Sequence, residues 1–201
     1  MYKRQAWKDA AEAATRDAAA LDAATRLLAE QHRAAILWVT VALGVGLGTY
    51  TGLLLGTMAA RVQWNSAVMA PLFLTSGLST GAALLMLLPA EPDRKALLVR
   101  WDSLAIVVEL GLLAAMLLGF VSGGAASQAA AYALLGGDWT PWFWSLVVVA
   151  GLLVPLALNQ IELRRHLPMT LAAPLLVLLG GLALRVILVA AGQDSSLASL
   201  H

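Results

Sequence analysis

Two ionisable side chains stand inside long apolar runs of this sequence: Glu109, within SLAIVVELGLLAAMLLGFV (103–121), and Arg185, within the run from Met169 to Ala191. At mid-bilayer such a group costs roughly 2.5–3.5 kcal/mol on insertion scales, so each marks a pathway or a binding site. Helical spacing at 1.5 Å per residue puts Tyr50 about 12 Å, Thr75 and Ser76 about 12–13 Å and Arg185 about 9 Å from the outer ends of their runs, a single layer. Hydroxyls and a guanidinium at one level could hydrogen-bond the carbonyl oxygens of a flat lipophilic ligand. The alternative is that Arg185 snorkels to the outer surface and the hydroxyls bond to their own backbone. Glu109 lies about 10 Å from the opposite end of its run, so a direct ion pair with Arg185 is not expected. Being short, it does not snorkel as far, which suits a proton-relay member.

Other chemistry is excluded by what is missing. The three histidines, His32, His166 and His201, all flank the apolar runs, whereas a bis-His haem needs two inside them. With no cysteine, the protein offers no thiolate ligand for an iron–sulfur cluster or zinc. No Gly-rich phosphate loop, no H-E-x-x-H and no Ser or Cys nucleophile paired with His is present.

The elements that must position these residues follow from composition. Of 201 residues, 60% are hydrophobic and 12% charged, far more apolar surface than one soluble core hides. A bilayer core of about 30 Å needs about 20 apolar residues in helical form. Five segments meet that length: 34–58, 67–89, 103–121, 142–158 and 169–191, together a transmembrane domain over 34–193. The expected fold is therefore an all-α integral membrane bundle of five helices, with a polar, Ala-rich helical arm before it (1–33) and a polar tail after it (194–201). Between the third and fourth spans, AAAYALL lies between glycine pairs and reads as a short interfacial helix. Lys and Arg cluster in the arm, at Arg94, Lys95 and Arg100, and at Arg164 and Arg165, whereas the other side offers Arg61, so the arm is expected to be cytoplasmic and the C-terminus periplasmic. Trp64, Trp139, Trp142 and Trp144 then fall at the outer interface. Gly44, Gly48, Gly52 and Gly56 form a ridge for close helix packing, and Gly77 and Gly81 repeat the device. The first residues, Met-Tyr-Lys-Arg-Gln, read as a translated library adapter, which makes truncation at the N-terminus the expectation.

Several stretches resemble one family. GTYTGLLLG (48–56), RVQWN (61–65) and PLFLTSGLSTGAA (71–83), with FWSLVVVAGLLVPL (143–156) and APLLVLLGGLALRVILVAAGQ (173–193), are similar to the NrfD membrane subunits of polysulfide reductase and related complexes. The resemblance implies a bundle of eight or more helices in a bacterial inner membrane that binds quinone or quinol (menaquinone or ubiquinone) and carries no redox cofactor, neither haem nor iron–sulfur cluster. It also implies an iron–sulfur partner subunit serving a molybdopterin or haem catalytic subunit, so the protein would not be a complete enzyme alone. Lipid, not nucleic acid, is its expected surroundings. The Tyr of the Y-T-G run maps to Tyr50 in the quinone site, and the acidic residue before the F-W helix to Asp138. With Thr75, Ser76 and Arg185 these make the expected quinone-binding set, Glu109 the proton relay, and Arg61, Trp64 and Asn65 the partner-docking surface. The family's first helices also contribute to its site, which five helices are too few to include. A transporter or channel piece and a purely structural anchor are the rival readings; no inverted repeat favours the former.

Overall fold

The computed structural model describes residues 15–23, 25, 30–58, 61–89, 91–165 and 170–194. Residues 1–14 and 195–201 lie outside the described residues, and with them the adapter-like start and most of the polar tail. The protein divides into two units, Met1–Val45 and Gly46–His201. In the first, residues 15–23 are helical and exposed.

The elements are α1 (Arg33–Gly56), α2 (Met69–Met86), α3 (Pro92–Ser122), α4 (Ala125–Leu135), a short α5 (Thr140–Trp142) continuing into a π-helix, π1 (Phe143–Leu153), then α6 (Val154–Arg165) and α7 (Ala172–Asp194). Among the described residues, five helical spans are long and apolar enough to cross a membrane, as hydropathy required. The second unit begins within α1 and holds the packed bundle, in which α2 lies against α3 and α7, and α7 runs along π1 and α6. Met69, Leu72, Ile106, Phe143, Leu184 and Leu188 form its fully buried apolar centre.

Helix α3 shows how a membrane sequence sorts its residues. Val99, Asp102, Ser103, Ile106, Glu109, Leu113, Met116 and Phe120 recur every three or four residues and are buried, while Leu104, Val107, Leu118 and Val121 on the remaining surface are exposed. Both faces are apolar because lipid takes the outer one, so the polar residues mark the inner one. The helix starts at Pro92, whose missing N–H suits a first-turn position, and therefore extends eleven residues before the expected Ser103. Likewise α6 continues past Leu158 to Arg165.

Two features differ from simple spans. Most of the expected fourth helix is π-helical, a form that is rare and recurs at functional sites. Within it Gly151 lies on Gly180 of α7, where a Cβ at Gly151 would stand 2.5 Å from the Gly180 Cα. Gly52 packs as expected, its missing Cβ leaving room for Ala70 and Met69 at the start of α2. Gly81, by contrast, meets nothing within 4 Å and borders an open groove. The AAAYALL patch is helical within α4, with Ala130, Ala131 and Leu134 buried.

Candidate functional site

Arg185 sits on α7 with its side chain running back along its own helix, where Nη1 donates to the carbonyl oxygen of Gly181 at 3.0 Å. Helical side chains lean toward the helix N-terminus, and Arg185 follows that lean into the bundle instead of snorkelling outward. Two glycines make room for it: a Cβ at Gly181 would lie 3.3 Å from Nη1, and one at Gly77 on α2 would lie 3.9 Å from Nη2. The Ser76 hydroxyl borders the same space, 3.6 Å from where a Gly181 Cβ would be.

Glu109 enters this niche from α3. It is 2% exposed, and the groups acting on its carboxyl are Ser76, Arg185 and Asp102. Ser76, 1% exposed, faces the carboxyl without closing a hydrogen bond of normal geometry, and its oxygen has no other partner. Glu109 and Arg185 are not within ion-pair distance, yet they share one site, which corrects the separation in depth reckoned from the sequence. That count placed Cα atoms, whereas a side group as long as arginine's spans about one helical turn, roughly 5 Å.

The other expected members are placed differently. Thr75 donates to the carbonyls of Pro71 and Leu72 at 2.9 and 3.0 Å, the local bonding a buried hydroxyl adopts when nothing else accepts it. Thr75 also lines a groove of about 680 Å³ between α2 and α3, walled by Gly77, Leu78, Leu85, Trp101 and Leu104. Gly77 separates that groove from Arg185 without a side chain. Tyr50 is 56% exposed on α1, and Asp138 is exposed in the turn between α4 and α5. Among the described residues no hydrogen bond or ion pair joins either to Arg185, Ser76 or Glu109. In the loop before α2, Trp64 is buried and its indole N–H donates to the Leu188 carbonyl at 3.0 Å, with the Arg61 guanidinium 5.9 Å above its ring. Asn65 is exposed beside them.

A second buried cluster was not expected. Asp102 is fully buried and accepts from Ser79 Oγ at 2.6 Å and from Asn159 Nδ2 at 2.8 Å, joining α3 to α2 and α6. Beyond it, Glu162 Oε1 accepts from the Thr170 backbone N–H at 2.8 Å and its hydroxyl at 2.6 Å. The signal lay in spacing: Asp102 and Glu109 are seven residues apart, two turns on one face, and Ser76 and Ser79 three apart.

The family model for polysulphide reductase, NrfD, matches residues 4–195. Protein NrfD of Escherichia coli (strain K12) is 35% identical over 176 residues, which cover 83% of the present sequence and 55% of that protein. The Protein NrfD homolog of Haemophilus influenzae is 30% identical, covering 73% and 49%. The C subunit of the polysulfide reductase of Wolinella succinogenes is 31% identical, covering 77% and 52%. The present sequence thus spans about half the length of these relatives. No solved structure matches it.

Proposed function

The chain belongs to the polysulphide reductase, NrfD family, and from that premise we propose that it is a quinone- or quinol-interacting membrane subunit of an oxidoreductase complex. In this reading it exchanges electrons between the membrane quinone pool and an iron–sulfur partner subunit, which serves a molybdopterin or haem catalytic subunit. The observation that carries the reading is the niche of Ser76, Glu109 and Arg185, three polar side chains from three helices inside an apolar bundle. Apolar bundles do not retain such groups without a use for them.

The chemistry fits the residues. A quinone ring offers two carbonyl oxygens, and Arg185 offers several guanidinium N–H donors. The Ser76 hydroxyl, unpartnered, can donate or accept as the ring changes between quinone and quinol. Glu109 can take or return a proton, which each change of redox state requires. The groove at Gly77 gives an apolar tail a place beside the ring. Tyr50 and Asp138 keep the roles that the family pattern implies; both are exposed. Arg61, Trp64 and Asn65 are proposed to support the docking face, Trp64 by fixing the loop to α7 and Asn65 by reaching outward. Bacterial inner membrane, with the N-terminal arm cytoplasmic, is the placement that goes with this reading.

A photoreactive quinone analogue tests it. Irradiation of membranes that contain the full-length protein should label peptides from α2 and α7, and excess unlabelled quinone should suppress that label. Label confined to other segments, or unaffected by competition, would refute the site.

A further inference from the structure

The proposed quinone niche makes no use of Asp102, Asn159 or Glu162. Two hydrogen bonds from neighbouring helices are enough to make Asp102 a structural lock, but three further observations exceed that role. First, Asn159 spends its amino group on Asp102 while its Oδ1 is buried with no partner. Second, that residue borders a small void of about 20 Å³ shared with Glu162, Thr170 and Lys95, where α3 begins and α6 ends. A void of this size, which Met86, Val99, Leu171 and Pro174 line together with those polar residues, suits one water molecule, which would satisfy the orphan oxygen. Third, Asp102 precedes Glu109 by two turns on the same face, with Ser79 and Ser76 of α2 alongside them in the same order.

We propose that Asp102 is the middle station of a proton path that joins the Glu162–Lys95 end of the bundle to Glu109. The inference rests on the quinone reading for its purpose and supplies the route that reading lacks. When a quinol is oxidised, the ring passes two electrons to the iron–sulfur partner and releases two protons. The two protons leave in succession, each binding the Glu109 carboxylate in turn and following the same transfers. Each moves to Asp102 by way of Ser76, Ser79 and intervening water, as Asp102 gives the proton it held to the water beside Asn159. The Glu162–Lys95 end releases that proton to the aqueous phase. Quinone reduction runs the same transfers in reverse. Asn159 is a positioning residue, holding the water with one end of its amide and Asp102 with the other.

The test uses the full complex in membranes, with Asp102→Asn, Asp102→Glu and Glu162→Gln. Asparagine matches the shape of aspartate, and a turn of the Asn159 amide preserves a hydrogen bond, so Asp102→Asn keeps its fold. The expected result is unchanged quinone binding in Asp102→Asn with turnover slowed at least about tenfold, a larger solvent deuterium isotope effect, and recovery in Asp102→Glu. Glu162→Gln, which lies outside the cluster, should slow turnover less but in the same direction. Parent-like turnover and isotope effect in an Asp102→Asn complex that binds quinone overturns the path and leaves the quinone site intact. If the parent binds no quinone, the functional reading fails separately, and dicyclohexylcarbodiimide labelling decides the path. That reagent modifies membrane-buried carboxyls that take up protons; label at Asp102 or Glu109 supports the path, and its absence from both overturns it.

Discussion

The buried carboxylates are the residues on which the account turns, and two of them were unequal in the sequence. Glu109 stands out because it interrupts an apolar run. Asp102 does not, for a physical reason: a hydropathy reading ends a span at the charged or amide side chain that flanks it, and the third span was counted from Ser103 and the fourth to Leu158. Asp102 and Asn159, which bond at 2.8 Å, are the residues immediately outside those limits. The helices do not end there, because charged residues at the bilayer edge still satisfy their backbone within the helix. Charge and fold are separable by substitution. Asp102→Leu should lower stability in detergent by about 1–3 kcal/mol, since it strands the Ser79 hydroxyl and the Asn159 amino group, whereas Asp102→Asn should lose less. Thermal unfolding of the two variants side by side checks this, and equal losses would mean the hydrogen bonds contribute little.

At the scale of elements, glycine was readable as packing, but not which glycine packs on what. Gly52 does what its stripe suggested, bringing the later part of α1 onto α2. Gly77 and Gly81 look alike in the sequence, yet they serve as the side-chain-free wall of a groove, one of them beside Arg185. The closest backbone approach, Gly151 on Gly180, involves a π-helix, and no residue pattern distinguishes FWSLVVVAGLL from an α-helical span. Gly151→Val should force π1 and α7 apart at a cost of about 1–3 kcal/mol. Its effect should appear as a lower unfolding temperature, whereas the same change at Gly56, which meets nothing within 4 Å, should leave stability near that of the parent. The reverse ranking would count against this packing.

For the molecule as a whole, the sequence carried the five spans and the family pattern, because hydropathy needs no tertiary information. It did not carry the meeting of Ser76, Glu109 and Arg185, which depends on how far a long side chain leans. The orientation expected from basic residues is directly testable, since the sequence has no cysteine and a single introduced thiol reports alone within it. Asn65→Cys should react with a membrane-impermeant maleimide from the periplasmic side, and Lys95→Cys only after permeabilisation; the opposite pattern would invert the topology. In the proposed site Arg185 holds a quinone headgroup inside the bundle. The most direct measurement of that role is the equilibrium binding of a short-tailed quinone to the purified full-length protein and to Arg185→Leu. Affinity in the variant should be at least tenfold weaker, about 1.4 kcal/mol, with a smaller loss in Ser76→Ala. An Arg185→Leu protein that is folded and binds quinone as tightly as the parent would contradict it.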